Sequence, residues 1–325
     1  MRNILLIIKN NLYRLSKEKI IIFMLIIVLP IVIYFGIYFS QTDSITGKIA
    51  IVKANNKQEE RVKKSVKGKE KVTLKFLSKE PTKTDLIKGI YLAEIKFKKS
   101  KPDVISYGKE DVKKGIEAAI KGKTYVDNKD NITVQGKIIG FLTMFLFFGS
   151  IMIMDFFLTD RENSVYSRVL IAKISYYEYI IGQMVYCLCV LTVPSIIMSL
   201  VIIKILSIQL RISTGLFLLL IFLVGLLSSS FSILICTLCK NKASASMMGS
   251  IVTMITCLLG GCIINIVDSN KIIGAIRECL PQKRLIDLAN KYNNGDLIFL
   301  IVIILLFVSI SIFVGKRQYE NGDFA

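Results

Sequence analysis

Six runs of almost uninterrupted apolar residues constrain this chain more than any motif in it. They are, approximately, Ile20 to Phe39, Ile138 to Leu158, Tyr179 to Ile203, Gly215 to Leu238, Ala243 to Val267 and Leu297 to Val314. Crossing the hydrocarbon of a bilayer takes about 20 apolar residues at a rise of about 1.5 Å each. Inside lipid, a span satisfies its own backbone polar groups only as a helix or in a closed barrel, and runs of this length read as helices. A soluble domain of 325 residues does not need 53% hydrophobic residues and a mean hydropathy of +0.57 for its core. The expected fold is therefore that of a mainly α membrane protein with six transmembrane helices.

Lys and Arg in the short flanks set the expected orientation. Arg2, Lys9, Arg14, Lys17 and Lys19 precede the first run, Arg161, Arg168 and Lys173 follow the second, and Lys240, Lys242, Lys316 and Arg317 fall on the same side. Both termini are expected to be cytoplasmic. The loop from Asp268 to Asp296 carries Lys271, Arg277, Lys283, Arg284 and Lys291 on the other side, where its acidic residues offset them in part.

The first run is too long for the apolar core of a cleavable signal and lacks small residues of the A-x-A kind near "YFSQT", so it reads as an anchor. Ahead of it, Ile4, Ile8, Leu12 and Leu15 form one helical stripe with Lys9 and Arg14 elsewhere. That pattern suits a helix lying in the headgroup plane. A frayed basic tail is the alternative.

The chain divides into three parts: an interfacial helix with the first span (1–40), an outer domain (41–136), and five spans (137–325). In the outer domain "GKIAIV", "KVTLKFL", "YLAEIKF" and "DVISY" read as strands. "KQEERVKKSV", "TKTDLIKG" and "EDVKKGIEAAIKG" read as helices. A small extracellular α/β domain inserted between the first two spans, with right-handed crossovers, is the economical arrangement. Its lysines suit attraction to anionic headgroups or acidic wall polymers, or simply a solvated surface.

Several chemistries are excluded. The chain has no His and no Trp, which removes imidazole acid/base catalysis, imidazole metal ligation and Ser-His triads. Its formal charge of +19 is diluted among the spans, with no nucleic-acid motif. "GKT" at Gly122 to Thr124 lacks the glycine spacing of a phosphate loop. The seven cysteines lie in or near the spans, and the Cys236–Cys239 C-x-x-C pair has no further ligands placed to complete a zinc site. No metal site is expected. Within the spans Asp155 lies near one end and Lys204 near the other, where it can snorkel. Neither is placed as a proton relay, so energy for transport would come from elsewhere.

Two patterns remain. "DRENSVYSRVL", Asp160 to Leu170, follows the second span, with Val165, Val169 and Ala172 on one helical face and Arg161, Glu162 and Arg168 polar. In the fifth span Ala245, Gly249 and Thr253 make a small-xxx-small stripe suited to close helix packing or a partner interface. Gly260 and Gly261 interrupt that span, which permits a broken or re-entrant helix, and Pro194 permits a kink in the third.

In this order of parts the chain resembles the permease subunits of ABC-2 type transporters over nearly its whole length. "DRENSVYSRVL" is similar to that family's E-R-E-x-G-T-x-x-R-L run, with Asp160, Arg161, Glu162, Arg168 and Leu170 at comparable positions and Ser164 and Val165 replacing the Gly-Thr pair. "CLPQKRLIDLA", Cys279 to Ala289, is similar to the Pro-containing outer segment before the family's last span. The resemblance implies a non-catalytic transport subunit that pairs with a second six-span permease, identical or homologous, and with two cytoplasmic ABC ATPases. ATP and Mg would bind in those partners and not in this chain. It implies that residues of about 160–173 form a coupling helix through which Asp160, Arg161, Glu162 and Arg168 transmit force. The apolar spans suggest export of an amphipathic cargo, an antimicrobial peptide, drug or lipid, across the plasma membrane of a bacterium. A membrane-anchored sensor with an extracellular ligand-binding domain is the alternative.

Overall fold

The computed structural model describes residues 2–42, 47–52, 72–77, 91–98, 101–105, 133–163, 174–208, 210–239, 241–263 and 271–320. The chain forms two compact units, one of residues 40–131 and the other of residues 1–39 with 132–325.

The larger unit is helical. Helix α1 (Arg2–Leu15) turns at Ser16–Glu18 into α2 (Lys19–Phe23), a π-helical turn (Met24–Val28) and α3 (Leu29–Thr42). The wide turn has a covalent cause in Pro30, which has no N–H to return to the carbonyl four residues back. The Leu29 N–H reaches instead to the Met24 carbonyl, five residues back. Then come α4 (Val134–Ile153), α5 (Asp155–Glu162), α6 (Tyr176–Ile205), α7 (Thr214–Leu238), α8 (Lys242–Leu259), α9 (Lys271–Glu278), α10 (Pro281–Asn290) and α11 (Asn294–Glu320).

Among the described residues, six segments are long and apolar enough to cross a membrane: Lys19–Ser40, Val134–Glu162, Tyr176–Ile205, Thr214–Leu238, Lys242–Leu259 and Asn294–Gln318. These are the six runs expected from sequence. They differ in burial, and that sets the architecture. α4 and α7 are enclosed for most of their length, while α2–α3, α6, α8 and α11 surround them with one face outward. Four serines within five positions of enclosed α7 are tolerated because each hydroxyl is satisfied locally. Ser228, Ser229, Ser230 and Ser232 donate to carbonyls three residues back at 3.0–3.1 Å, or 2.9 Å for Ser230. Glycines allow the close approaches. A Cβ on Gly225 of α7 would fall on the Thr192 hydroxyl of α6, and one on Gly249 of α8 would meet Ile151 of α4 at 2.6 Å.

The helix of the fifth span stops where Gly260 and Gly261 interrupt the apolar run. α8 stops at Leu259, Gly260 caps it, and Gly261 takes φ +80°, the left-handed conformation that glycine adopts without strain. Residues 264–270, the end of the expected span, lie outside the described residues. The segment read as a loop from Asp268 onward contains two short helices. Pro281 starts α10 at its first turn, where its missing N–H is harmless, and Leu285, Leu288 and Ala289 are buried. The long helix α6 runs through Pro194 without ending.

The smaller unit contains a four-stranded sheet, β1 (Gly47–Val52), β2 (Val72–Leu77), β3 (Tyr91–Lys98) and β4 (Lys101–Ile105), in the order β2-β1-β3-β4. β1 pairs in parallel with β2 and β3, while β3 and β4 are antiparallel. Ala50 and Glu94 face each other across β1 and β3 and both are buried. The strands occupy stretches read as strands from sequence, with the last beginning at Lys101. The helices expected between them lie outside the described residues.

Candidate functional site

The charged stretch after the second span becomes a knot tying together one end of the bundle. At Met154 α4 gives way to a turn, and α5 continues the span through Glu162. Asp160 and Arg161 are each 8% exposed, so their side chains are buried within the protein. Burying charge requires partners, and each residue has them.

Asp160 accepts two hydrogen bonds of 2.8 Å from one guanidinium nitrogen of Arg14 on α1 and one of 3.4 Å from the Tyr179 hydroxyl on α6. The Arg14 guanidinium also lies 4.6 Å from the centre of the Phe156 ring, a cation–π contact. Arg161 donates to the carbonyls of Cys239, at 2.9 Å, and Cys236, at 3.4 Å, and to the Gln318 side chain at 3.3 Å. Those carbonyls close the last turn of α7, where unpaired C=O groups and the negative end of the helix dipole attract a cation. Glu162 does the converse. Its carboxylate accepts the Lys242 backbone N–H at 2.8 Å, at the first turn of α8, where an anion is favoured. The Lys242 ammonium reaches back to Asp155 at 3.0 Å.

Three consecutive residues of α5, less than one turn, thus hold α1, α6, the α7–α8 junction and α11. Three further contacts fix α1 to α6. Asn11 donates to Gln183 at 2.7 Å in a buried pair, Asn3 donates to Glu178 at 2.9 Å, and Ile7 packs on Gly182, where any Cβ would stand 3.2 Å from it. At the base of α11, a Cβ on Gly315 would collide with the Tyr176 hydroxyl, so these two helices are in close contact.

The opposite end is fastened by other residues. Lys137 donates to the Ile263 carbonyl at 3.2 Å and Arg277 to the Leu259 carbonyl at 3.0 Å, both at the exit of α8. Gln282 donates to the Thr256 hydroxyl at 2.9 Å, and Asn290 accepts from both the backbone and the hydroxyl of Thr133 at 2.8 Å. Arg284 bridges Asp296 and Glu278 at 2.8 Å each.

Of the residues singled out in the sequence, Asp160, Arg161 and Glu162 come together at the α5 knot. Arg168, with Ser164 to Lys173, lies outside the described residues. Ala245, Gly249 and Thr253 lie on the buried face of α8, which packs on α4 and α7 of the same chain. The opposite face of α8 exposes Met247, Ile251, Met254 and Ile255. Sequence reasoning did not single out Arg14, Asn11, Tyr179, Gln183 and Lys242 as one group. The available signal was one amide, Gln183, in the largely apolar span α6, where a polar group needs a specific partner.

Among the described residues no group of three or more His, Cys, Asp or Glu side chains is placed to hold a metal ion. Burial raises the Cys239 thiol above its ordinary range against the opposing pull of Arg161. The arrangement is mechanical: charges fix helix ends to one another.

No curated protein gives a significant match to this sequence. A model of the ABC-2 type transporter family matches residues 112–292, more than half of the chain and the stretch that contains α5, four of the six spans and the α9–α10 pair. Membership implies association with an ABC ATPase. With its six apolar helices and this match, the chain belongs to the ABC-2 type transporter family, as a multi-pass membrane component of an ABC transporter.

Proposed function

We propose that this chain is the permease subunit of an ATP-driven exporter in the plasma membrane of a bacterium. The α5 end of the bundle is cytoplasmic, as is each terminus, and the sheet-containing unit is the extracellular domain. Two ABC ATPases dock on the segment of about 160–173, and a second six-span permease, identical or homologous, completes the pathway. ATP-driven closure of the ATPases pushes on this segment and rocks the spans between inward- and outward-open states. The cargo is amphipathic, an antimicrobial peptide, drug or lipid.

The observation that carries this reading is the α5 knot. A connector that only joined two spans would need no buried charges. Here Asp160, Arg161 and Glu162 bind α1, α6, α7, α8 and α11, so a displacement of the adjoining segment reaches most of the bundle at once. Packed elements with specific charge pairs move as bodies and do not deform continuously. On this reading Asp160, Arg161 and Glu162 pass force into the bundle, and Arg168, farther along the segment, belongs to the surface that receives it.

The test is photo-crosslinking from position Ser167 in membranes of the native host, followed by identification of the captured chain. Capture of an ABC ATPase, lost on a Gly-Gly insertion after Glu162, is expected. Capture of no ATPase from any position between Ser164 and Lys173 would overturn the reading.

A further inference from the structure

The face of α1 that turns away from the bundle carries a pattern that its fastenings leave unexplained. Asn3, Ile7, Asn11 and Arg14 recur at steps of three and four residues and hold one side of the helix to α6 and α5. On the other side Leu5, Leu6, Leu12 and Tyr13 are exposed, and Arg2 and Lys9 are exposed among them. At 3.6 residues per turn, Arg2 and Lys9 lie midway between one apolar ridge, Leu5 with Leu12, and a second, Leu6 with Tyr13. Lys17 and Lys19 follow, also exposed, at the turn into the first span, and the Lys17 ammonium sits 4.4 Å from the centre of the Tyr13 ring.

The depth of this face is fixed. Arg14 is bound to Asp160 at the end of the second span, and the first span starts four residues after α1. α1 therefore lies where hydrocarbon gives way to headgroups. Two apolar ridges would be unstable in water and the row of cations between them would be unstable in hydrocarbon. A leaflet boundary with negatively charged headgroups satisfies both. The face is the outer surface of a single helix.

We infer that the outward face of α1 binds anionic phospholipid, with Arg2, Lys9, Lys17 and Lys19 on the headgroups and Leu5, Leu6, Leu12 and Tyr13 among the upper acyl carbons. Because the same helix grips Asp160 through Arg14, the charge of the leaflet biases how α1 holds α5. This inference needs neither the ATPase nor the cargo.

The absence of tryptophan from the chain supplies the assay. Leu12→Trp places a single indole on the face, and Leu305→Trp places a control on the exposed side of α11. The full chain is reconstituted in phosphatidylcholine vesicles containing about a third phosphatidylglycerol, with bromine on the acyl chains of one lipid or the other. At L12W, brominated phosphatidylglycerol is expected to quench as though enriched at least about twofold over its mole fraction, since each cation near the surface favours an anionic lipid. At L305W quenching should follow mole fraction. Replacing Arg2, Lys9, Lys17 and Lys19 with Gln, or raising salt on the unaltered face, should return L12W to mole fraction. Quenching at mole fraction from the start, or an excess that survives both treatments, would overturn the inference. An indole at L12W shielded from both lipids would overturn it too and assign the face to a protein.

Discussion

Arg161 donates a 2.9 Å hydrogen bond to the Cys239 carbonyl, so the foot of the second span closes the last turn of the fourth. Glu162, the next residue, opens the fifth by accepting the Lys242 N–H. Two adjacent side chains of opposite charge thus take the two helix ends whose dipoles favour them. The α7–α8 junction is held by its neighbour as well as by its own caps, and α5 cannot shift without drawing it along.

The Arg14–Asp160 pair should carry measurable stability. It is partly buried, so removing one partner leaves the other poorly compensated. Arg14→Ala and Asp160→Ala are each expected to destabilise the protein by about 1–3 kcal/mol, seen as a lower Tm of the full chain in detergent. The combined Arg14→Asp, Asp160→Arg exchange should recover part of the loss. Single variants with unchanged Tm would show that the pair contributes nothing.

The contact of α6 with α7 should respond to one methyl group. Gly225→Ala drives a Cβ into the Thr192 hydroxyl and should cost about 1–3 kcal/mol. Thr192→Ala alone should cost little, because that hydroxyl is buried with no hydrogen-bond partner among the described residues. In the double variant the obstructing oxygen is gone and most of the stability should return. A double variant as unstable as Gly225→Ala would contradict the packing, with thermal unfolding as the measurement.

Thiol labelling should separate exposure to water from exposure to lipid. Cys189 and Cys279 are both exposed, but Cys189 lies on spanning helix α6 and Cys279 between α9 and α10. In intact cells a membrane-impermeant maleimide is expected to modify Cys279 and leave Cys189 untouched, with the signal lost in Cys279→Ser. Labelling of Cys279 only after the cells are opened would reverse the proposed orientation.

Acidification should act through Asp287 at the α9–α10 end. Burial raises its carboxyl above the ordinary value of 3.8, against the lowering pull of Lys283 and aided by Asp296. A carboxyl with a raised folded-state pKa binds protons more readily folded than unfolded. Its ionisation therefore weakens the fold at neutral pH, and the penalty is relieved as pH falls through the raised value toward 3.8. Asp287→Asn should raise Tm near pH 7, by an amount that shrinks as the pH approaches about 4. A Tm difference that is constant with pH would refute this assignment.

The amino-acid sequence by itself determined the six spans, because the length and apolarity of each run answer to bilayer thickness alone. It also determined the strand stretches of the small unit, from their alternation, and the family pattern around Asp160, from the order of its parts. Gly260 and Gly261 were legible as an interruption of the fifth span, while the cap at Gly260 and the φ of +80° at Gly261, with which α8 ends, belong to the folded chain. Tertiary structure alone decided the partners of the charges. Arg14 and Asp160 lie 146 residues apart and Asn11 and Gln183 lie 172 apart. Periodicity reports which face of a helix is buried and carries no information about which distant helix covers it. The same holds for the stripe of Ala245, Gly249 and Thr253: its small size was legible, while its use against α4 and α7 followed from how the helices pack together.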